Sequence, residues 1–320
     1  MTVVEQALDE STAALVETVA RDAEEADGVA PLGEQSLRAL RALRAPAAED
    51  IRHLLVRPGD GDSGDVAGYA QIVGSGAEAT AEVVVAPDRR RRGVGAELLR
   101  AVFEREPAVA VWAHGDLPSA RALAGSEGLV RTRELLKMRR HVGPGLPEAR
   151  PAEGIETGTL AEAVSEGGWR WPGMDARSEL LRVNNAAFSW HPEQGGWTRD
   201  QLDDRLAVDW VDTGAVFLAV DASTAVPRLV GFHWTKTVAE PGAPVEGEVY
   251  VVAVDPADQG RGLGGVLTTL GVAHLEGPAG AESVVLYVEG DNAAAIRTYE
   301  TLGFTVEHRD VTYASVPNGG

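Results

Sequence analysis

The 320-residue chain contains no cysteine, which excludes disulfide bonds, thiolate nucleophiles and cysteine-based metal sites. It has no apolar run close to the roughly 20 residues that a membrane-spanning helix needs, and its start lacks the basic and apolar regions of a secretory signal. Basic residues are outnumbered by acidic ones, 29 to 49, so the formal net charge is −20. This charge argues against nucleic-acid or anionic-lipid partners. We therefore expect a cytoplasmic monomer that acts on a small molecule.

Length and composition predict two folded domains. A hydrophobic fraction of 44% and a charged fraction of 24% are typical of folded soluble chains, and 320 residues suffice for two domains of ordinary size. Residues 141–154, HVGPGLPEARPAEG, are rich in proline and glycine and read as a linker. We therefore predict an N-terminal domain over residues 1–145 and a C-terminal domain over residues 152–320.

An internal repeat relates the two halves. Residues 83–99 read VVVAPDRRRRGVGAELL, and residues 252–270 read VAVDPADQGRGLGGVLTTL. An offset of 169 positions aligns Pro87 with Pro256 and, without a gap, aligns both glycines of the first copy with glycines of the second. Each copy predicts a strand rich in β-branched residues, then a glycine turn, then a helix. The repeat predicts two related domains.

The glycine turns are suited to bind phosphate. The pattern Gln/Arg-x-x-Gly-x-Gly occupies residues 90–95 and 259–264. Glycines allow the backbone to approach a ligand closely, and the N-terminus of the following helix offers unpaired N–H groups to an anion. Arginines add charge-assisted contacts to phosphate oxygens. The alternative is an ordinary tight turn between a strand and a helix.

These turns resemble the acetyl-CoA pyrophosphate signature of the GNAT acetyltransferase superfamily, and residues 292–304, NAAAIRTYETLGF, resemble its last helix. The resemblance implies an α/β (α+β) fold of two tandem domains, each with a mixed, mostly antiparallel sheet flanked by helices. It also implies acetyl-CoA as cosubstrate and no metal. The cofactor-binding residues that it implies are Val83, Val84, Val85, Arg91, Arg92, Gly93, Val94, Gly95, Ala96, Val252, Ala253, Val254, Gln259, Gly260, Arg261, Gly262, Leu263, Gly264, Gly265, Asn292 and Arg297.

The resemblance also implies two catalytic residues, Glu248 as general base and Tyr299 as general acid toward the departing thiolate. Without the resemblance, Glu248 would read as a solvated residue and Tyr299 as a packing residue. The offset of 169 pairs Glu248 with Ala79, and a local offset of 175 pairs Tyr299 with Ala124. We therefore predict that the N-terminal domain binds acetyl-CoA, or only supports the fold, and transfers no acetyl group.

The acceptor is indicated by residues 188–197, FSWHPEQGGW. With the tandem arrangement, they resemble an actinobacterial branch of the superfamily that acetylates the cysteinyl amine of a cysteinyl-glucosaminyl-inositol. The acceptor-binding residues that this resemblance implies are Glu34, Glu193, Lys236, Glu248 and Tyr287. Two alternatives stay open at this point. The chain is a tandem acetyltransferase for another amine, such as an antibiotic, a polyamine or a protein terminus, or it is a noncatalytic acyl-CoA sensor.

Overall fold

The structure is a computed structural model and describes residues 2–33, 36–37, 40, 51–58, 65–143, 145–164, 170–189, 194–239 and 242–316. Internal contacts divide the chain into two compact units, Met1–Leu135 with His308–Gly320, and Leu136–Glu307. The first unit is discontinuous in sequence because the end of the chain packs with its first half. The assignment of domains to residues 1–145 and 152–320 stays a prediction.

A mixed sheet flanked by helices forms the first unit. Its strands are β1 (Val3–Glu5), β2 (Ile51–Val56), β3 (Gly68–Val73), β4 (Thr80–Val85), β5 (Ala110–Ala113), the start of β6 (Leu129–His141) and the last part of β12 (Thr305–Ser315). Its helices with fully described bounds are α1 (Glu10–Asp27), α2 (Val94–Arg105) and α3 (Pro118–Ser126). The strand order β1-β2-β3-β4-β5-β12 is antiparallel except for the parallel pair β4–β5.

The second unit repeats this plan. Its further strands are β7 (Ile155–Thr159), β8 (Val216–Asp221), β9 (Arg228–Val238), β10 (Glu246–Val254) and β11 (Ser283–Glu289), in the order β6-β11-β10-β9-β8-β7. Its described helices are α4 (Leu160–Val164), α5 (Ala176–Ala187), α6 (Arg199–Leu206), α7 (Leu263–Glu276) and α8 (Ala293–Thr301). The pair β10–β11 is parallel, and the pairs β7–β8, β8–β9 and β9–β10 are antiparallel. The predicted fold class is confirmed.

Each sheet is covered by apolar side chains on both faces. In the first unit, Val16 of α1 and Leu98 of α2 belong to two separate buried clusters, one on each side of the sheet. In the second unit, Leu180 of α5 packs with Phe232, whereas Leu267 of α7 packs with Val230 on the opposite face. None of the described helices has both the length and the apolar character that crossing a bilayer requires.

The last helix has the ends that its sequence predicts, because asparagine favours a helix N-cap and glycine favours the left-handed residue after a helix. The Asn292 side chain accepts a hydrogen bond from the Ala295 backbone N–H at 3.1 Å, so it caps the N-terminus of α8. Gly303, after the helix, has φ 84°, a left-handed conformation that glycine adopts without strain. Asn292 therefore has a local structural role in addition to its predicted role in cofactor binding.

The packing of α7 on the sheet depends on a glycine. A Cβ atom at Gly271 would lie 2.1 Å from ring atoms of His233. His233 is fully buried, and its Nδ1–H donates to the Leu267 carbonyl oxygen at 2.9 Å. Burial lowers the pKa of His233 to about 4, so the imidazole is neutral in the folded protein. Helix α7 can pack this closely against the sheet only because residue 271 has no side chain.

We expect Gly271→Ala to lower the free energy of unfolding by about 2–3 kcal/mol, because the added methyl group overpacks the core. Gly264→Ala, in the same helix, is the matched control, since a Cβ atom there meets no atom within 4 Å. Urea unfolding of the ligand-free protein measures both. Equal stability of the two variants would contradict the packing constraint.

Candidate functional site

The parallel ladder breaks early in both units. Strand β10 pairs with β11 from Glu246 to Val249 but continues to Val254, and β4 pairs with β5 from Thr80 to Glu82 but continues to Val85. Residues 83–85 and 252–254, the predicted backbone contacts to the cofactor, therefore lie beyond the described ladder on that side. In the first unit the Val85 carbonyl oxygen accepts from Arg90 Nε at 3.3 Å. The other backbone groups on these edges are suited to a ligand, because buried backbone groups need hydrogen-bond partners.

The glycine turns follow directly on these free edges. Gly93 and Gly262 have φ values of 88° and 74° and begin α2 and α7, each without a side-chain cap. The uncapped first turns leave backbone N–H groups for an anion. Val94 and Leu263 are both predicted cofactor-binding residues, but their side chains are buried in the core. At these two positions only the backbone is suited to face a ligand.

The two turns differ in conformation and charge. Gly260 has φ 80°, and Arg91, at the equivalent position of the first turn, has φ 61° in spite of its side chain. In the second unit, buried Asp258 binds Arg261 at 2.6 Å and Arg228 at 2.8 Å. The offset of 169 places Arg89 at the position of Asp258. The second turn therefore contains an internal acid that the first turn replaces with a base.

A cavity of about 720 Å³ lies in the first unit beside its turn. The cavity is lined by the free end of β4, the turn and the helix α3. Ala124 is one of the lining residues. Of the predicted cofactor-binding residues, those lining it are Val83, Val84, Val85, Arg91, Gly93, Val94, Gly95 and Ala96. Arg92 is exposed and does not line the cavity.

In the second unit, Glu248 and Lys236 lie together. They are register partners on β10 and β9, and Lys236 Nζ lies 3.2 Å from Glu248 Oε2. Both side chains are largely buried, with exposed fractions of 24% for Lys236 and 18% for Glu248. The strand pairing therefore holds an ammonium group on the predicted base.

Tyr299 lies on α8, where its ring packs edge-on against Phe304 with 6.0 Å between ring centroids. Desolvation of the hydroxyl group raises the pKa of Tyr299 to about 12, although the side chain as a whole is only partly buried. The phenol is therefore protonated at neutral pH, as a hydrogen-bond donor must be. The described contacts of Tyr299 do not include Glu248.

The remaining predicted residues are distributed as follows. The Tyr287 side chain on β11 is 49% exposed. Arg297 is exposed on α8, and residues 259–262 form the exposed part of the second turn. Glu34 and Glu193 lie outside the described residues.

The strand register corrects the predicted equivalence of Glu248 and Ala79. The pairing of β10 with β9 shifts between Val249 and Val251, whereas β4 pairs with β3 without a shift. Strand β10 thus contains one extra residue, a β-bulge, which a constant offset does not take into account. When the two units are aligned at their turns, Glu248 on β10 takes the position of Thr80 on β4. Their strand partners, Lys236 on β9 and Val73 on β3, then also correspond. The position still has no carboxylate in the first unit.

The equivalence of Tyr299 and Ala124 agrees with the structure. Helix α3 and helix α8 cover the same positions at an offset of 175, and the glycines that follow, Gly128 and Gly303, both have positive φ. Ala124 is buried at 3% exposure, so no hydroxyl group is present there.

Sequence reasoning missed a buried charged cluster in the first unit. His114 Nε2 lies 2.8 Å from Glu82 Oε1, and His114 Nδ1 lies 3.5 Å from Asp310 Oδ2. Burial opposes the charged imidazolium, but hydrogen bonds to Asp310 and Glu82 and their negative charges outweigh it and raise the pKa of His114 to about 9. Both ring nitrogens are engaged, so His114 is suited to fasten β12 to β5 and not to act as a base. No local signal could reveal it, because its members lie far apart in sequence.

Sequence reasoning also missed the aromatic side chains around Lys236. Lys236 Nζ lies 5.6 Å from the ring centroid of Trp210 and 5.8 Å from that of Tyr250. These distances are within the range of cation–π interactions. Tyr250 is separated from Glu248 by one residue, but only the strand pairing shows that both are close to Lys236.

Comparisons with known proteins agree with this geometry. The profile of the Acetyltransferase (GNAT) family matches residues 183–304. A protein named Mycothiol acetyltransferase from Mycolicibacterium gilvum is 46% identical over 319 residues, which cover 98% of this chain and 97% of that protein. A protein of the same name from Nocardia farcinica is 48% identical over 315 residues, 97% of this chain and 96% of that protein.

A solved structure supports the fold. It is described as a tandem GNAT protein from the clavulanic acid biosynthesis pathway, and it matches with a TM-score of 0.63 at 20% identity over 98% of this chain and 97% of its own. Identity over nearly the whole length, and not the shared fold alone, decides the relationship. The chain belongs to the mycothiol acetyltransferase family of GNAT acetyltransferases.

Proposed function

We propose that the second unit transfers an acetyl group from acetyl-CoA to the cysteinyl amine of cysteinyl-glucosaminyl-inositol, the last step of mycothiol biosynthesis, in the cytoplasm. The observation that carries the proposal is the free edge of residues 252–254 between the uncapped glycine turn and Glu248. This arrangement has a place for the phosphates, a backbone edge for the thioester arm and a carboxylate near the acyl end. The names of the full-length relatives support the acceptor.

The reaction requires a neutral amine. The amine nitrogen attacks the thioester carbonyl carbon, a C–N bond forms, the C–S bond breaks, and the amine loses one proton. Glu248 accepts that proton, directly or through a water molecule. An α-amino group has an ordinary pKa of about 7.7–8.0, so an appreciable fraction is already neutral at cytoplasmic pH. The demand on the base is therefore modest.

The departing thiolate needs a hydrogen-bond donor. Because burial raises the pKa of Tyr299 to about 12, the hydroxyl group keeps its proton until it meets the thiolate. An ordinary thiol has a pKa of about 8.5, so the transfer is uphill unless the two groups are close. Tyr299 therefore acts by a close hydrogen bond, and backbone N–H groups of residues 252–254 polarise the thioester carbonyl.

The proposed acceptor contacts are residues that the family resemblance implies, and the described ones belong to the second unit. Lys236 and Glu248 form one charged wall of the acceptor site, and Tyr287 presents an exposed ring and hydroxyl group. Glu34 and Glu193, which the family resemblance also implies, lie outside the described residues. Carboxylates and hydroxyl groups suit an acceptor that is cationic and rich in hydroxyl groups.

A direct test is thiol release from acetyl-CoA by the purified protein, with cysteinyl-glucosaminyl-inositol or spermidine as the amine. We expect release with the cysteinyl precursor and little with spermidine. Preference for spermidine would favour a tandem acetyltransferase with another substrate. Absence of release with both amines would favour a noncatalytic acyl-CoA sensor.

The catalytic roles predict the effects of two conservative substitutions. Glu248→Gln and Tyr299→Phe should each lower kcat by about 10²–10⁴-fold, because each removes one proton-transfer or hydrogen-bonding group from the transition state. Calorimetric titration should show acetyl-CoA affinity nearly unchanged in both. Full activity of either variant would refute the role of that residue.

We further propose that the first unit binds acetyl-CoA without transferring its acetyl group. The cavity of about 720 Å³, the free end of β4 and the uncapped turn at Gly93 support binding. Thr80 and Ala124 occupy the positions of the base and the acid, which supports the absence of transfer.

Native mass spectrometry should count two acetyl-CoA molecules per chain. Gly93→Val and Gly262→Val are matched variants, because each puts a branched side chain at a left-handed residue that begins a phosphate-facing helix. Each variant should retain one acetyl-CoA, which also shows that the chain is folded, and only Gly262→Val should abolish turnover. A single acetyl-CoA in the unsubstituted protein, unaffected by Gly93→Val, would overturn the proposal for the first unit.

A further inference from the structure

Three aromatic residues surround the Lys236–Glu248 pair in the second unit. The rings of Trp210 and Tyr250 meet edge-on with 5.2 Å between centroids, and Trp234 lies 5.9 Å from Tyr250 and 6.2 Å from Trp210. The Lys236 ammonium faces two of these rings, at 5.6 Å from Trp210 and 5.8 Å from Tyr250. The lysine is therefore enclosed by two π-faces and one carboxylate.

The β-bulge in β10 explains how Tyr250 reaches this position. Side chains of paired residues share a face of the sheet, so Glu248 lies on the face of Lys236, and Val251 on the face of Trp234. Trp234 and Lys236 are two residues apart on a regular strand and share that face. The extra residue of the bulge is Tyr250, and its contacts with Trp234 and Lys236 place its ring on the same face.

Trp210 contacts Tyr250 and Lys236 from a segment outside the sheet. It lies between α6 and β8, and its partly buried ring packs against the same core cluster that contains Trp234. The contacts of Trp210 with Tyr250 and Lys236 join the preceding segment to the functional face. The position of the ammonium thus depends on residues from three separate parts of the sequence.

The first unit lacks the equivalent group at every sheet position. Gln71 and Val73 occupy the positions of Trp234 and Lys236, Thr80 occupies that of Glu248, and the pairing of β3 with β4 has no bulge. The fold therefore forms without this arrangement. Its presence in the second unit, which has Glu248 and Tyr299, associates it with acetyl transfer and not with folding.

We propose that Trp210 and Tyr250 are positioning residues, which hold the Lys236 ammonium on Glu248 Oε2 and thereby orient the carboxylate. Oε1 has no hydrogen-bond partner among the described residues, so it is the oxygen that accepts the proton of the amine. A lysine without aromatic neighbours would sample many rotamers, since its side chain is long and flexible. The inference rests on the proposed role of Glu248 as base.

The test is a double-mutant cycle on the full-length enzyme. Trp210→Leu removes the π-face, and Lys236→Met removes the charge that this face holds. We expect Trp210→Leu to lower kcat by about tenfold, within the range of a partly desolvated cation–π contact, with little change in the affinity for acetyl-CoA. In the Lys236→Met background the same substitution should lower kcat less than twofold, because the group that it positions is absent.

Conservative variants and a control separate positioning from packing. Trp210→Phe and Tyr250→Phe retain a ring and should retain at least half of kcat, whereas Tyr250→Leu should resemble Trp210→Leu. Phe217→Leu is the control, because the Phe217 ring meets His274 at 5.6 Å and not Lys236. It should leave kcat unchanged.

The outcomes separate the two proposals. Equal fold-losses from Trp210→Leu with and without Lys236, in an enzyme that Glu248→Gln inactivates, would overturn the positioning role and leave the proposed function intact. If Glu248→Gln retained full activity, the role of Glu248 as base would fail, and the positioning proposal would fail with it.

Discussion

The early break in the parallel pair at the centre of each sheet is the constraint on which both sites depend. Strands β10 and β11 are paired over four residue pairs, and β4 and β5 over three, before the longer strand continues without its neighbour. Backbone groups at such an edge need another partner. Because the glycine turn and its helix begin where the longer strand ends, the unpaired edge and the uncapped helix N-terminus lie side by side and are suited to one anionic ligand. In the first unit, all of the predicted cofactor contacts except Arg92 line the cavity beside this edge.

One inserted residue makes the two units chemically unequal. The first unit has an equivalent break and an equivalent glycine turn, but its strands β3 and β4 pair without a bulge. The bulge at Tyr250 changes which residues face Lys236 and adds an aromatic ring on that face. A repeat can thus retain the strand break and the glycine turn while only one copy has Glu248, Lys236 and Tyr250 on one face. The two units thus differ in the register of a strand as well as in the side chains at the positions of Glu248 and Tyr299.

Local features of the fold could be predicted from the sequence, and nonlocal ones could not. The strand before each glycine turn, the cap at Asn292 and the left-handed Gly303 follow from neighbouring residues, so composition and spacing were sufficient. The family resemblance suggested Glu248 and Lys236, but their contact requires the pairing of β9 with β10.

Longer-range features were inaccessible for the same reason. The count from Glu248 to Ala79 failed because a constant offset cannot represent a bulge. The contact of His114 with Asp310 joins residues that are almost 200 positions apart in the chain, and no sequence pattern marks it. Burial, charge and hydrogen bonding determine such clusters only once the fold has brought their members together.

The pairing of Lys236 with Glu248 is better explained by chemistry than by stability. Removing two charges from water costs free energy that their mutual attraction often fails to repay, so a largely buried ion pair is weak evidence of a stabilising role. The first unit shows that Thr80 and Val73 satisfy the same strand positions.

A carboxylate that must accept a proton cannot be replaced in this way, and it needs a cation that fixes its geometry without filling both oxygens. Lys236, confined by Trp210 and Tyr250, meets that requirement with a single contact at 3.2 Å. On the proposed role of Glu248, the cost of burying the pair is the cost of a functional carboxylate in the second unit. The first unit, with Thr80 and Val73 at these positions, does not bear that cost.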